Sequence, residues 1–137
     1  MKTRAYEPSL DYPVIESWWK ARNLPPIPAE LLPAHGVVVS AGITIAMGFC
    51  YFDTGGKIGV VDWISTNPAV ASGPTTLEAI ASIFGYFEYV AEKRGCRNLM
   101  SWVSQNTGLH RYMVKRGWQD PQSAPHIMLF KSWPSRD

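Results

Sequence analysis

"KIGVVDWISTNPAVASGPTTLEAIASIFGYFEYVAEKRGCRNLMSWVS", residues 57–104, changes its hydrophobic period twice. The opening "KIGVVDWIST" is rich in β-branched and aromatic residues and reads as a strand. From Thr75 the apolar residues Leu77, Ile80, Ala81, Phe84, Phe87, Val90 and Ala91 recur at helical spacing until Gly95 stops the pattern. "NLMSWVS" then returns to a strand. A strand, a long helix and a strand in succession require a parallel crossover.

Working outward, "HGVVVS", "ITIAMGFCYF" and "KIGVVDWIST" form a three-strand meander, with the glycines of "AG" and "DTGG" supplying the positive φ of tight turns. Antiparallel pairing followed by a parallel crossover predicts a mixed sheet. Towards the N-terminus, "KTRAYE" alternates like a short strand, and Asp11 offers an N-cap to a helix "YPVIESWWKAR" that the proline-rich "NLPPIPAELLP" terminates. Towards the C-terminus, "NTGLHRYMVKR" reads as a helix closed by Gly117, and "HIMLFKSW" as a final strand.

The chain has 137 residues, 46% of them hydrophobic, which suits one domain with its own core. Net charge is +2 and the 13 basic residues are scattered, so no nucleic-acid footprint is expected. The longest apolar run, "VVVSAGITIAMGFCYF", is broken by Ser, Gly and Thr and is too short for a bilayer, and "MKTRAYEPSLDY" lacks a signal-peptide core. No membrane association and a cytoplasmic location are expected. Cys50 and Cys96 have no Cys or His at metal-ligand spacing and read as core residues, and no metal site is expected.

"ASGPTT", 71–76, has two readings. The first N–H groups of a helix lack intrahelical partners and favour an anion, so the loop can cradle a phosphate. Thr75 and Glu78 also fit a capping box that would satisfy the same donors from within.

The element order and several local sequences resemble the GNAT family of acyl-CoA-dependent N-acyltransferases over nearly the whole chain, 1–137 as a single domain. "TRAYEPSLDYPVIESWW" resembles the family's first strand and helix, and "ISTNP" with the loop and helix after it resembles its strand-to-loop approach to the pyrophosphate. "NTGLHRYMVKRGW" resembles the fourth-helix motif, with Asn106, Leu109, Gly117 and Trp118 where the family has Asn, Ala, Gly and Phe. The "WWKAR…PP" opening and the strand ending in "NP" look most like small GNAT-like proteins of bacteriophages. The resemblance implies an α/β (α+β) fold with a mixed, mostly antiparallel sheet of roughly six to seven strands and about four flanking helices.

It also implies an acetyl-CoA cosubstrate and an amine acceptor, either a small molecule or a protein. Anchored on Gly73, the phosphate loop puts Val70 and Thr75 at its ends; only the central glycine is kept, and Pro74 withholds one donor. On this resemblance Ser72, Gly73, Thr75, Thr76 and Leu77 meet the pyrophosphate, backbone groups of Ile64 and Thr66 meet the pantetheine, and Asn106 and Met113 complete the cofactor side. Asp62 is the carboxylate placed to be the base, or else a hydrogen-bonded structural strand residue. Tyr112 is the nearest acid, although the gapless register puts Met113 at the family's Tyr. Trp18 and Trp19 wall the acceptor pocket; since adjacent helical side chains diverge, one should pack inward and one be partly exposed, open to an acceptor, a partner chain or a second copy in a homodimer.

Two functions follow from these residues. One is an N-acetyltransferase using acetyl-CoA on an amine, working in the host cytoplasm if phage-encoded. The alternative is a GNAT-fold binding protein that has lost catalysis and acts on a host or partner protein.

Overall fold

In a computed structural model, residues 1–104, 107–119 and 126–132 are described. The elements are β1 (Lys2–Ala5), α1 (Pro8–Ala21), a 3-10 turn (Ala29–Leu31), β2 (His35–Ala41), β3 (Ile43–Phe52), β4 (Gly59–Thr66), α2 (Pro74–Lys93), β5 (Asn98–Ser104), α3 (Gly108–Lys115) and β6 (His126–Ser132). They form one six-stranded sheet in sequence order, β1 to β6. Only β4 and β5 pair in parallel, and the 20-residue α2 carries the chain back across the sheet between them. Six strands fall within the expected six to seven, while the helix count differs slightly from the expected four or so. Three α-helices are present among the described residues, and the proline-rich segment holds a single 3-10 turn because its prolines withhold the N–H donors a helix needs.

Strand alternation divides the core in two. On β2, Val37 and Val39 join the cluster under α2, while Val38 joins the cluster under α1. This is why "VVV" reads as a continuous apolar run: the strand is covered on both faces. Phe84, Phe87 and Ala91 of α2 are buried as the helical spacing predicts, but Ala79 and Ile83 complete the buried stripe. Leu77 and Ala81 instead line a groove facing α3.

Three local expectations are corrected. Helix α1 begins with Pro8 at N1, so Asp11 lies inside it and is not the N-cap. Its carboxylate turns back to accept from the Glu7 N–H at 2.8 Å and from both arms of the Arg4 guanidinium at 2.8 and 2.7 Å. Helix α2 has Gly73 at its N-cap and no side-chain cap, which places Thr75 and Glu78 too far along to form a capping box. Finally, both Trp18 and Trp19 are buried, at 4% and 7% exposure. Ile27 and Leu32 of the proline-rich segment pack against the same cluster, so α1 is covered on more than its sheet-facing side. Among the described residues the exposed tryptophan is Trp102, at 56%.

The Arg4–Asp11 pair ties β1 to α1. Burial raises the Asp11 carboxyl, but the hydrogen bonds from Arg4 and Glu7 outweigh it and hold the group below its ordinary value. A lowered folded-state value means the contribution is present above about pH 4 and is lost as pH falls through the folded value. Arg4→Gln should therefore cost about 1–3 kcal/mol at neutral pH, since it strands a buried carboxylate, and progressively less in acid. Urea denaturation at neutral pH and at pH 2.5 checks this; an undiminished gap in acid would refute it.

Candidate functional site

The parallel ladder between β4 and β5 is short. It runs through Gly59↔Leu99, Val60↔Met100 and Val61↔Ser101, and beyond these pairs the strands separate. A β-bulge sits at the parting point: Met47↔Ser65 and Phe49↔Asp62 leave Trp63 and Ile64 opposite Gly48 alone. Trp63 takes φ +55°, a conformation costly for a bulky residue. Two hydrogen bonds hold it there, from its backbone N–H to Asp62 Oδ1 at 2.8 Å and from its Nε1 to the Tyr51 hydroxyl at 2.6 Å. At the crotch of the fork the buried Ser101 hydroxyl donates to the Val61 carbonyl at 3.0 Å.

The open edge of β4 follows from alternation. The Asn67 N–H donates to the Ile45 carbonyl of β3 at 2.8 Å, so Ser65 and Asn67 turn towards β3 and Ile64 and Thr66 turn away from it. The backbone groups of Ile64 and Thr66 thus lie on the unpartnered edge. The Thr66 carbonyl, however, already accepts from Arg22 at 2.6 Å, and its hydroxyl accepts from the same guanidinium at 3.0 Å. Asp62 lines a cavity of about 270 Å³ in the fork with Trp63, Ile64, Ser101 and Trp102.

The loop after β4 is fixed by Asn67, whose side chain donates to the Thr44 carbonyl and accepts from the Ala69 N–H. It delivers Ser72 and Gly73 to the head of α2. Gly73 has φ +143° and ψ −151°, open to glycine alone, and a Cβ there would meet no atom within 4 Å. The N–H groups of Thr75 and Thr76 belong to the first helical turn, which has no intrahelical acceptor for them. No acidic residue stands in that turn. The Thr76 hydroxyl braces the loop by donating to the Ala71 carbonyl at 3.2 Å.

From this point a groove of about 580 Å³ runs between α2 and α3, walled by Leu77, Glu78, Gly85, Tyr112 and Arg116. The Arg116 guanidinium lies 5.6 Å from the centre of the Tyr112 ring. Met113 points the other way and is fully buried. Tyr112 therefore lines the groove, while Asp62 lines the fork, and the two share neither cavity. Ser72, Gly73, Thr75, Thr76 and Leu77 are brought together at the head of α2. Trp19 lines a third cavity, whereas Trp18 is core packing. Asn106 lies outside the described residues.

Sequence reasoning passed over Arg22, Ser65, Asn67 and Ser101. Asn67 was marked by its Asn-Pro dipeptide, a turn signal. Arg22 and Ser101 make their bonds over 44 and 40 residues of sequence, which no local pattern reports. Both cysteines are buried, and burial pushes the Cys50 thiol up to about 12, too high for nucleophilic work. Among the described residues no three His, Cys, Asp or Glu side chains gather as a metal site, and no helix is long and apolar enough to cross a membrane.

No protein-family model and no curated protein matches the sequence. Solved structures do match the fold. Rv2747 from Mycobacterium tuberculosis, in complex with CoA and NLQ, superposes with a TM-score of 0.73 at 10% identity, covering 98% of this chain and 100% of its own. Ard1 from Thermoplasma volcanium gives 0.72 at 9% identity, with 98% of each chain covered. The aminoglycoside 6'-N-acetyltransferase from Enterococcus faecium gives 0.70 at 12% identity and full coverage of both. At such identities the likeness establishes the fold, which is GNAT-like across the chain.

Gly73→Ala should cost about 1–3 kcal/mol although the added methyl meets nothing, because the cost is in the dihedral. Chemical denaturation checks it, and a loss below about 0.5 kcal/mol would show that the loop relaxes freely.

Proposed function

We propose that the chain is an N-acetyltransferase that moves an acetyl group from acetyl-CoA to an amine on a small molecule or protein. The observation that supports this most is the fork. Where β4 leaves β5, an unpartnered strand edge lies beside an uncapped helix start with open space over Gly73. An extended amide-bearing arm fits the edge, and a pyrophosphate fits the helix start.

Acetyl-CoA supplies the acetyl group as a thioester, whose C–S bond breaks as the C–N bond to the acceptor forms, and CoA leaves as a thiolate that takes up the second proton the acceptor nitrogen loses. The chain's residues then divide the work. Ile64 offers its N–H and carbonyl to the pantetheine amides, while Thr66 retains only its N–H, since Arg22 holds its carbonyl. The N–H groups of Thr75 and Thr76, with the Ser72 hydroxyl and the bare Gly73 backbone, hold the diphosphate. Leu77 and Tyr112 wall the groove onward, and Met113 backs it from the core. Asp62 takes the ammonium proton: it is the carboxylate of the fork cavity, and its Oδ2 is not the atom that holds Trp63. Such an enzyme works where acetyl-CoA is made, in the cytoplasm.

One observation favours a second reading, a GNAT-fold binding protein without turnover. Met113 is fully buried where the resemblance places Tyr, and Tyr112 stands outside the Asp62 cavity. Calorimetric titration with acetyl-CoA and with CoA, followed by thiol release in the presence of amines, separates the two. At a hundredfold excess over its dissociation constant the ligand should stabilise the fold by about 2.7 kcal/mol. No heat and no shift in Tm at millimolar ligand would reject the acetyltransferase.

Asp62→Asn keeps an oxygen to accept the Trp63 N–H but removes the base. Turnover should fall about 10²-fold or more at neutral pH, with partial recovery as pH rises and the amine deprotonates unaided. Tyr112→Phe should change turnover less than about tenfold. A large loss from Tyr112→Phe with CoA affinity retained would move the acid to Tyr112, and full activity in Asp62→Asn would remove the base role.

A further inference from the structure

A cavity of about 370 Å³ opens between the C-terminal end of α1, the chain at Leu24–Ile27 and the end of β4. Its walls are apolar and aromatic, chiefly Trp19, Ile27 and Trp63, and Arg22 is its one charged lining residue. Two hydrogen bonds fix this wall as a unit: Trp19 Nε1 donates to Ser65 Oγ at 2.9 Å, and the Tyr12 hydroxyl donates to the Ile27 carbonyl at 2.6 Å. Arg22 is fixed as well. It commits one arm to the Thr66 carbonyl and the other to the Thr66 hydroxyl, which leaves further N–H donors of a five-donor group uncommitted. Among the described residues no carboxylate pairs with it. Arg22 is solvent-exposed, so its two hydrogen bonds hold the guanidinium at the mouth of the apolar-walled cavity, where a positive charge with no carboxylate partner is complementary to an anion.

The cavity shares Trp63 and Ile64 with the fork cavity that holds Asp62. Cation and carboxylate therefore line adjoining cavities that meet at Trp63 and Ile64. Four residue steps separate Asp62 from Thr66, one of them taken up by the bulge, so the backbones at the two ends lie about 10–13 Å apart at roughly 3.3 Å per step, which sets the scale on which carboxylate and guanidinium are spaced. Two charge-assisted contacts of about 2.8 Å leave about 5–7 Å between a ligand's nitrogen and its anion, the reach of about four to six bonds.

We infer that Arg22 selects the acceptor: a small, partly apolar amine bearing a carboxylate about four to six bonds from its nitrogen, with the carboxylate on Arg22 and the ammonium directed to Asp62. The inference rests on the acetyltransferase reading for the fate of the amine, while the binding step stands without it. A dipeptide has this spacing and a monocationic amine does not have this charge pattern. The apolar wall between the charged ends accommodates a hydrophobic side chain.

Glycyl-L-phenylalanine and glycyl-L-phenylalaninamide differ only in whether the carboxylate is present. Calorimetric titration of each into the wild-type chain without acetyl-CoA should favour the acid by about tenfold or more in Kd. Arg22→Gln, which keeps a donor for Thr66 but removes the charge, should bring the ratio to about one, and Arg22→Lys should restore part of it. Repeating the titrations with saturating acetyl-CoA and following thiol release reads the acetylation separately. Discrimination without thiol release would support the anion site and count against the acetyltransferase. Equal binding of acid and amide, binding of neither probe, or a preference that survives in a folded Arg22→Gln variant would overturn the inference.

Discussion

One extra residue on β4 sets the form of the site. With Trp63 and Ile64 opposite Gly48 alone, β4 twists away from β5 after three paired residues, and a sheet that would otherwise be continuous becomes a fork. The bulge is strained at Trp63 and persists because its surroundings hold it. Asp62 fixes its N–H, Tyr51 fixes its indole, and Gly48 lets α2 approach so closely that a Cβ there would lie 2.6 Å from Ile83. On the proposed reading Asp62 has two tasks. The carboxylate that keeps the bulge in place is also the one that faces the cavity the bulge creates, so its structural and chemical readings are compatible, with one oxygen for each.

The two hydrophobic clusters hold the fork open from opposite faces. The α2 cluster anchors β4 and β5 up to the crotch, where Val61 and Leu99 are buried and Ser101 spans the gap by a hydrogen bond. Under α1, the other cluster extends across the sheet no farther than β4, where it meets Trp63, and leaves Trp102 of β5 exposed. The sheet is thus covered on both faces as far as β4 and on one face at Trp102.

The elements that could be read from sequence were those with strong local period: the meander, and the α2 pattern with the crossover it forces. What could not be read depended on long-range contact. "WW" predicts divergent side chains, which is correct for a helix, yet says nothing of a proline-rich segment folding back to cover the second one. Thr75 and Glu78 fit a capping box, but Gly73 and Pro74 start the helix earlier and shift both residues along it. The bulge left only Gly48 as a trace, and Arg22 left none, because its partner Thr66 is 44 residues away. Positions that pair across the sheet are visible as pattern, whereas positions that pair across the site are not.

The width of the groove between α2 and α3 is governed from its far end. Glu88 of α2 accepts from Arg116 at 3.2 Å, from the Trp118 indole at 3.1 Å and from Lys131 of β6 at 3.2 Å, joining three elements through one largely buried carboxylate. Arg116 is drawn to this node while its guanidinium also lies near the Tyr112 ring. Its charge is therefore largely compensated by Glu88 before any ligand arrives, unlike that of Arg22. The two arginines differ in what they can offer an anion: Arg116 holds the groove together, and Arg22, bound only to neutral oxygens, keeps its full charge for a ligand. On the proposed reading, electrostatic selectivity falls on the acceptor side of the fork, and the cofactor side relies on backbone N–H groups that any non-proline sequence supplies.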